Sequence, residues 1–331
     1  MNNDTAHLRP KTPVFILSGF LGSGKTTILN ELLQSPDLAD TAVIINEFGD
    51  TGLDHHFIES SGEEIIELSN GCLCCSIRGQ LTDTLVGLPL ESLSRIIIET
   101  TGLADPGPLI QSMLAHPEIS QKCTIGAVIT LVDALNIDRQ LAENDEPGLQ
   151  IALADMIIIS KADLINSATR QTEIATVTHL LREHNPAATI IERDKLEMPA
   201  TGLLEAAIAA ASCLPQKLLP RHTNHRHQHG ASGHHHHAKA SGETVSTVTL
   251  RTTTPISRKA LEAFCELLAS AHGDAILRIK GLVAVTGYTG PLVIHGIHHT
   301  FILGTQTFIV ADPLFRIGGQ DGTGGQEQQK K

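Results

Sequence analysis

Apolar residues in the first two-thirds of the chain fall into short, unbroken runs separated by segments of helical periodicity. The runs predict buried strands at 13–18, Thr41–Ile45, Arg95–Ile98, Ala127–Val132 and Met156–Ile159. The segments between them predict helices at Lys25–Gln34, Ser76–Val86, Ile110–Leu114 and Ser167–Glu183. Strands that are apolar on both faces and alternate with helices are typical of a parallel sheet covered on both sides. We therefore predict an α/β domain with a parallel sheet over residues 12–212.

The pattern changes after residue 212. Residues 213–243 are rich in histidine and glycine and lack periodicity, which predicts a linker. Residues 244–316 predict a smaller α+β C-terminal domain, with a strand from Thr244, a helix at Ser257–Ser270 and strands at Ile276–Val285, Leu292–Ile297 and Thr307–Val310. The polar start, residues 1–11, and the Gly/Gln/Lys-rich end, residues 317–331, are expected to be flexible and disordered, respectively.

Composition narrows the functional classes. The chain has 331 residues, 41% of them hydrophobic and 18% charged, which indicates a globular protein. Its formal charge of −12 argues against a nucleic-acid partner, because phosphate backbones require a basic face. The sequence has no apolar run long enough to predict a membrane span, and the first residues lack the apolar stretch of a secretion signal. Six cysteines, partly clustered, are typical of reduced thiols, so we predict a cytoplasmic protein.

A glycine-rich loop follows the first predicted strand and precedes the first helix. Residues 19–26 read Gly-Phe-Leu-Gly-Ser-Gly-Lys-Thr, the pattern of a phosphate-binding loop. Backbone amides of such a loop point at phosphates, Lys25 adds a positive charge, and Thr26 can place its hydroxyl on Mg²⁺. The predicted nucleotide contacts are Gly19, Gly22, Ser23, Gly24, Lys25, Thr26 and Thr27.

A second nucleotide element ends the strand at Arg95–Ile98. Glu99 follows this strand, and Gly102 comes three residues later. The acid can hold the Mg²⁺ shell or orient water, and the glycine amide can sense a γ-phosphate. The predicted catalytic residues are therefore Lys25, Thr26, Glu99 and Gly102. The alternative is a strand that ends in an ordinary turn.

A third element, Ser160-Lys161-Ala162-Asp163, follows the strand at Met156–Ile159. The Asp163 carboxylate can accept two hydrogen bonds from guanine, which adenine cannot offer, so Ser160, Lys161 and Asp163 predict GTP as the nucleotide. Ser160 stands where GTPases more often have asparagine. The alternatives are a polar strand end that caps the next helix and, for the whole chain, a P-loop ATPase or small-molecule kinase.

Three closely spaced thiols, Cys72, Cys74 and Cys75, precede the helix predicted at Ser76–Val86. Thiolates in a loop can converge on one Zn²⁺ or Co²⁺, and their softness disfavours Mg²⁺. Glu47, after the second strand, could complete this site, and nearby Asp50 could contact Mg²⁺ or water. The alternatives are a redox pair at Cys74 and Cys75, buried packing of the thiols, and a plain acidic turn around Glu47.

Histidines dominate the predicted linker. Imidazoles in a loop bind Zn²⁺, Ni²⁺ or Co²⁺ weakly, and the alternative is a solvated linker without a function. The candidates are His222, His225, His227, His229, His234, His235, His236 and His237. We interpret His295 and His299 as ordinary structural histidines, and Cys123, Cys213 and Cys265 as packed side chains.

Four of these motifs occur together in one order. They are residues 19–27, Asn46-Glu47-Phe48-Gly49, Gly71-Cys72-Leu73-Cys74-Cys75 and the run Glu99-Thr100-Thr101-Gly102-Leu103-Ala104-Asp105-Pro106. In them the chain resembles the CobW-type metal-handling GTPases, and the last run is similar to the YjiA-like branch. The resemblance covers residues 12–212 and continues less specifically through Arg278-Ile279-Lys280-Gly281.

This resemblance implies a P-loop GTPase with slow hydrolysis that carries Zn²⁺ or Co²⁺ to a client metalloprotein. It implies that Glu47 and the three cysteines hold the metal, and that His116 matches a metal-binding histidine of the YjiA-like branch. Ile45 and Asp50 replace carboxylates of that branch, which weakens the expectation of its surface metal site. Two other roles stay open, a histidine-rich metal store with incidental GTPase activity and cobalt supply for cobalamin synthesis. Self-association that depends on metal or nucleotide is also open.

Overall fold

The computed structural model describes residues 11–46, 65–68, 76–196, 199–212, 248, 250–303 and 306–309. The strands are β1 (Thr12–Gly19), β2 (Thr41–Asn46), β3 (Ile65–Leu68), β4 (Arg95–Glu99), β5 (Cys123–Asp133), β6 (Met156–Ser160), β7 (Thr189–Glu192), β8 (Ile279–Val283), β9 (Leu292–Ile297), β10 (Thr300–Leu303) and β11 (Gln306–Ile309). The helices are α1 (Lys25–Leu33), α2 (Ser76–Gly87), α3 (Pro106–Ala115), α4 (Pro117–Lys122), α5 (Ile137–Glu143), α6 (Glu146–Leu153), α7 (Arg170–His184), α8 (Ala200–Ser212) and α9 (Arg258–His272).

Seven strands form one sheet in the order β3-β2-β4-β1-β5-β6-β7, and every neighbouring pair is parallel. The predicted parallel α/β sheet is therefore confirmed. The sequence pattern missed β3 and the edge strand β7, which are each four residues long. Within β7 the four residues are exposed or half-buried, so the strand lacks the continuous apolar run that marks the central strands.

Helices cover both faces of this sheet. On one face, Ile28 and Leu29 of α1 pack with Leu203 and Leu204 of α8 against strand residues such as Phe15. The opposite face is covered by α2, α3 and α4 near β4, and by α6 and α7 near β6. Since side chains on both faces of β1 and β4 are buried, both strands are fixed in register, and their carboxyl ends have defined positions.

A second, smaller sheet follows in the C-terminal domain. Its strands pair antiparallel in the order β11-β10-β9-β8, and Leu261 and Cys265 of α9 pack against Phe301 of β10. The predicted helix and α+β class are confirmed, and the Ser257 hydroxyl caps α9 by accepting from the Ala260 amide at 3.2 Å.

The predicted strand from Thr244 is wrong at the two residues that the structure describes. Val248 and Leu250 belong to no strand, and their exposed fractions are 78% and 72%. Both residues lie outside the four-stranded sheet, so the alternation of apolar and polar residues does not reflect burial of one face there.

The C-terminal domain contacts the nucleotide domain through an apolar and a charged contact. Ile297 of β9 packs with Ile110 of α3 and with Val128 of β5. Beside it, Asp155 accepts hydrogen bonds from Arg278 and Lys280 of the C-terminal domain, and its side chain is 0% exposed. No local sequence pattern marks this ion cluster.

Burial and neighbouring charges shift the pKa values of Asp155 and of His295 beside it. Burial would raise the pKa of Asp155, but Arg278 and Lys280 outweigh it and hold that pKa below its ordinary value. The neighbouring His295 shows the opposite balance, because burial and the charges of Lys280 and Arg278 lower its pKa to about 4. His295 is therefore neutral at neutral pH, in line with the interpretation as a structural histidine. Within the described residues, no helix is long and apolar enough to cross a bilayer.

Candidate nucleotide and metal site

The phosphate-binding loop lies at the carboxyl end of the central strand β1. Gly19, Gly22 and Gly24 have positive φ angles of 140°, 72° and 95°, which side chains disfavour. At Gly19 a Cβ atom would also lie 2.4 Å from the Leu131 carbonyl oxygen. The loop passes directly into α1, which begins after Gly24 without a side-chain cap. Its first backbone N–H groups are therefore available to an anion.

Lys25 is buried within this loop. Its Nζ donates to the Gly19 carbonyl at 2.8 Å and to the Phe20 carbonyl at 3.4 Å. Burial lowers the pKa of Lys25, and the nearby Glu99 carboxylate partly opposes that effect. The ammonium group therefore lies among the loop carbonyls, where a phosphate oxygen would meet a concentrated positive charge.

Thr26 and Glu99 are brought together by neighbouring strands. Leu17 of β1 pairs with Glu99 of β4, so the acid projects at the start of the phosphate loop. The Thr26 hydroxyl donates to Glu99 Oε1 at 2.9 Å, and Glu99 is buried. A hydroxyl and a carboxylate are oxygen donors of the type that Mg²⁺ prefers.

The turn after Glu99 rests against the phosphate loop. The Thr100 amide donates to the Leu17 carbonyl at 2.9 Å, and a Cβ at Gly102 would lie 2.7 Å from the Leu21 amide nitrogen. Only glycine allows this approach without displacing the loop. Asp105 then caps α3 by accepting from the Gly107 amide at 2.8 Å. The turn therefore leads directly into the capped start of α3.

Ser160 and Lys161 end β6 beside the phosphate loop. The buried Ser160 hydroxyl lies 2.7 Å from the Ser23 carbonyl and 3.1 Å from that of Val132, so it connects β6 to the loop. Lys161, with a φ of 59°, pairs with the buried Asp133 at 2.8 Å. Ser160 is therefore placed to support the loop, and Lys161 is fixed through Asp133.

Asp163 lines a cavity of about 560 Å³ next to α1. Ile28 and Glu31 of α1 also line this cavity, together with Arg193 and Asp194. The Arg193 guanidinium forms an ion pair with Glu31, and both residues line the cavity. Asp163 was predicted from its motif, whereas Glu31 and Arg193 lie in no recognisable motif and were not predicted.

Comparisons with known proteins agree with this arrangement. Residues 13–192 match the family model described as CobW/HypB/UreG, nucleotide-binding domain, and residues 245–320 match the cobalamin synthesis protein cobW C-terminal domain. The chain belongs to the CobW/HypB/UreG family. It is thus a P-loop GTPase, and the GTPase prediction is confirmed.

Relatives cover most of the chain. The zinc chaperone YjiA of Escherichia coli is 29% identical over 87% of this chain and 86% of its own. The zinc chaperone CobW of Pseudomonas aeruginosa is 32% identical over 88% of this chain and 82% of its own. Among solved structures, Zn(II)-bound YjiA GTPase from E. coli superimposes with a TM-score of 0.59, at 23% identity over 89% of each chain, and supports the fold.

Most metal candidates of this CobW-family chain lie outside the described residues. These are Glu47, Asp50, Cys72, Cys74, Cys75 and the linker histidines His222, His225, His227, His229, His234, His235, His236 and His237. Cys213 also lies outside them. Over the described part of the chain, no group of three histidine, cysteine or acidic side chains could hold a metal ion.

His116 is described, at the junction of α3 and α4. Its Nδ1 atom is buried and has no hydrogen-bond partner among the described residues. Cys123 and Cys265 are buried as predicted, and burial raises the pKa of both, that of Cys265 to about 11 with help from Glu262 and Glu266. Both thiols therefore stay protonated, which suits packing rather than metal binding.

Proposed function

We propose that the chain is a GTP-dependent metallochaperone that binds Zn²⁺, or alternatively Co²⁺ or Ni²⁺, and transfers it to a client metalloprotein. Cys72, Cys74 and Cys75, together with Glu47, are the proposed ligands of the transferred ion. The names of the two zinc chaperones that cover most of this chain support the choice of zinc. Three soft thiolates suit these ions and disfavour Mg²⁺.

Glu99 connects the phosphate loop to β2, the strand that precedes Glu47, and this position supports the proposal. On one side it accepts a hydrogen bond from Thr26 of the phosphate loop. On the other side Glu99 pairs with Ile45 of β2, which ends one residue before Glu47. Next to β2, β3 ends four residues before Cys72, and α2 begins one residue after Cys75. Parallel strands end at a common edge, so this supports one connected nucleotide and metal site.

For the nucleotide, Gly19, Gly22, Ser23, Gly24 and Thr27 would contact the phosphates, together with Lys25. Thr26 and Glu99 fit Mg²⁺, which would neutralise charge on the phosphate oxygens. Asp50 is a further Mg²⁺ candidate. The Gly102 amide would contact the γ-phosphate, since its turn rests against Leu21. At the other end of the site, Asp163 would select guanine, with Lys161 beside it and Ser160 supporting the loop.

In this proposal GTP draws the turn at Gly102 and the segment after β2 toward the γ-phosphate, and the cysteines gather into a tight site. Hydrolysis removes the γ-phosphate contacts, and the ion passes to the client. Burial lowers the pKa of Lys25, and a bound phosphate would oppose that effect, because a nearby negative charge favours the ammonium form.

The test is the metal retained per chain after dialysis with a non-hydrolysable GTP analogue. We expect about one tightly held Zn²⁺ in the parent and none in a Cys72/Cys74/Cys75 triple serine variant. A variant lacking residues 222–237 should keep that ion, whereas a metal store would lose most of its capacity. Retention of the tight ion by the triple variant would refute the proposal.

A further inference from the structure

We propose that Gln150 is a positioning residue for GTP hydrolysis, which holds the Gly102 turn over the phosphate loop. Gln150 lies on α6 and is 1% exposed. Its Nε2 donates to the Gly102 carbonyl at 3.1 Å and to the Ala104 carbonyl at 2.9 Å. The inference rests on the proposed contact between the Gly102 amide and the γ-phosphate.

The two acceptors determine which end of the amide faces the turn. Both are backbone carbonyls, so only the NH₂ group of Gln150 can satisfy them. The opposite atom, Oε1, is buried and has no hydrogen-bond partner among the described residues. Burial of an amide oxygen without a hydrogen-bond partner is unfavourable, so the oxygen of Gln150 does not stabilise the buried side chain. The favourable contribution of Gln150 comes from the two hydrogen bonds that its nitrogen donates to the turn.

The helix that carries Gln150 is itself held firmly. The Thr130 hydroxyl of β5 donates to the Gln150 carbonyl at 3.0 Å. Asn185 Nδ2 donates to the carbonyls of Ile151 and Ala154 at the end of α6, at 2.8 and 2.9 Å. From the C-terminal domain, Arg278 donates to the Leu153 carbonyl. Gln150 is therefore a fixed point from which the turn is positioned.

The turn packs closely against the phosphate loop. Gly102 approaches Leu21 so closely that a Cβ would lie 2.6 to 2.8 Å from its atoms. A turn without the two amide hydrogen bonds could relax away from the loop, and the Gly102 N–H would leave the γ-phosphate. GDP lacks that phosphate, so its binding should depend little on Gln150. This difference separates positioning from general stability.

The experiment compares Gln150→Met and Gln150→Glu with Gln140→Met in the full chain. Gln140 is a buried glutamine on α5, 8% exposed, and serves as the matched control. Both Gln150 variants should lose about tenfold to a hundredfold in kcat, the loss expected for two hydrogen bonds made in the reacting state. GDP affinity should stay within about twofold, and the control should keep the parental kcat.

A pH profile separates positioning from damage to the fold. A buried carboxyl that faces two carbonyl oxygens has a raised pKa, and in its protonated form it can donate one hydrogen bond. The activity of Gln150→Glu relative to Gln150→Met should therefore rise as the pH falls from about 8 to about 6. Acid does not repair a misfolded variant. Parental kcat in Gln150→Met, or a flat activity ratio between the two variants, overturns the inference.

Gly102→Ala distinguishes this inference from the proposal on which it rests. If Gly102→Ala hydrolyses GTP normally, the γ-phosphate role of the turn fails, and the role of Gln150 fails with it. If Gly102→Ala is inactive while Gln150→Met is normal, only the inference about Gln150 fails. All assays are run without Zn²⁺, so they do not depend on the cysteine site.

Discussion

Replacing Asp155 by asparagine tests the charged contact between the two domains. The Asp155 carboxylate accepts from Arg278 Nη2 at 2.8 and 2.9 Å, from Lys280, and from the Val128 amide at 2.9 Å. Asparagine keeps the shape and can still accept from Val128, but it removes the negative charge. Arg278 and Lys280, whose side chains are 15% and 20% exposed, then lose the negative charge of Asp155 beside them.

The expected cost is about 3 kcal/mol in the free energy of unfolding. Breaking a buried ion pair by removing one partner costs roughly 3–5 kcal/mol. The lower end applies because Arg278 still donates to the Leu153 carbonyl and Lys280 to the Ala211 carbonyl. Urea unfolding near pH 7, followed by circular dichroism, measures this cost. Asp83→Asn, at an exposed position on α2, is the control and should be nearly neutral.

The pH dependence of this cost follows from the lowered pKa of Asp155. A carboxyl with a depressed folded pKa contributes stability that is full above its unfolded pKa, about 4, and is lost as the pH falls through the folded value. Asparagine does not titrate, so the gap in the free energy of unfolding between parent and variant should narrow below about pH 4. A cost under about 1 kcal/mol at pH 7, or a gap that is unchanged near pH 2, would refute this reasoning.

Three further predictions concern single side chains. Asp163→Asn should weaken GTP binding about tenfold to a hundredfold and reduce the preference for GTP over ATP, as measured by competition binding. Glu99→Gln should lower kcat at least about tenfold and raise the Mg²⁺ concentration needed for half-maximal hydrolysis. His295→Gln should remove part of the acid destabilisation between about pH 6.5 and 4, since protonation of His295 favours the unfolded chain in that window. Urea unfolding across that range measures the last effect.

The position of the glycine-rich loop between β1 and α1 was predictable from the sequence, because the loop consists of neighbouring residues with a local requirement. Positive φ angles at Gly19, Gly22 and Gly24 demand glycine, and the apolar run of β1 fixes where the loop begins. The fold class followed from the same regularity, since central strands buried on both faces leave unbroken apolar runs.

Residues that act across the fold were not predictable in this way. Gln150 is 48 positions from Gly102 in the chain, and Arg278 is 123 from Asp155, so no local pattern connects either pair. Lone polar residues in a helix or strand look like ordinary surface positions until packing brings them together. The strand predicted from Thr244 failed at Val248 and Leu250 for a related reason, because alternation alone does not show that one side of a segment is buried.

The proposed coupling between the two sites means that GTP strengthens metal binding at the cysteines. Its most direct test is the affinity for Zn²⁺, measured by competition with a chromogenic chelator, with a non-hydrolysable GTP analogue, with GDP and without nucleotide. We expect the tightest Zn²⁺ binding with the GTP analogue and, by linkage, an equal tightening of GTP analogue binding by Zn²⁺. Equal Zn²⁺ affinity in all three states would contradict it.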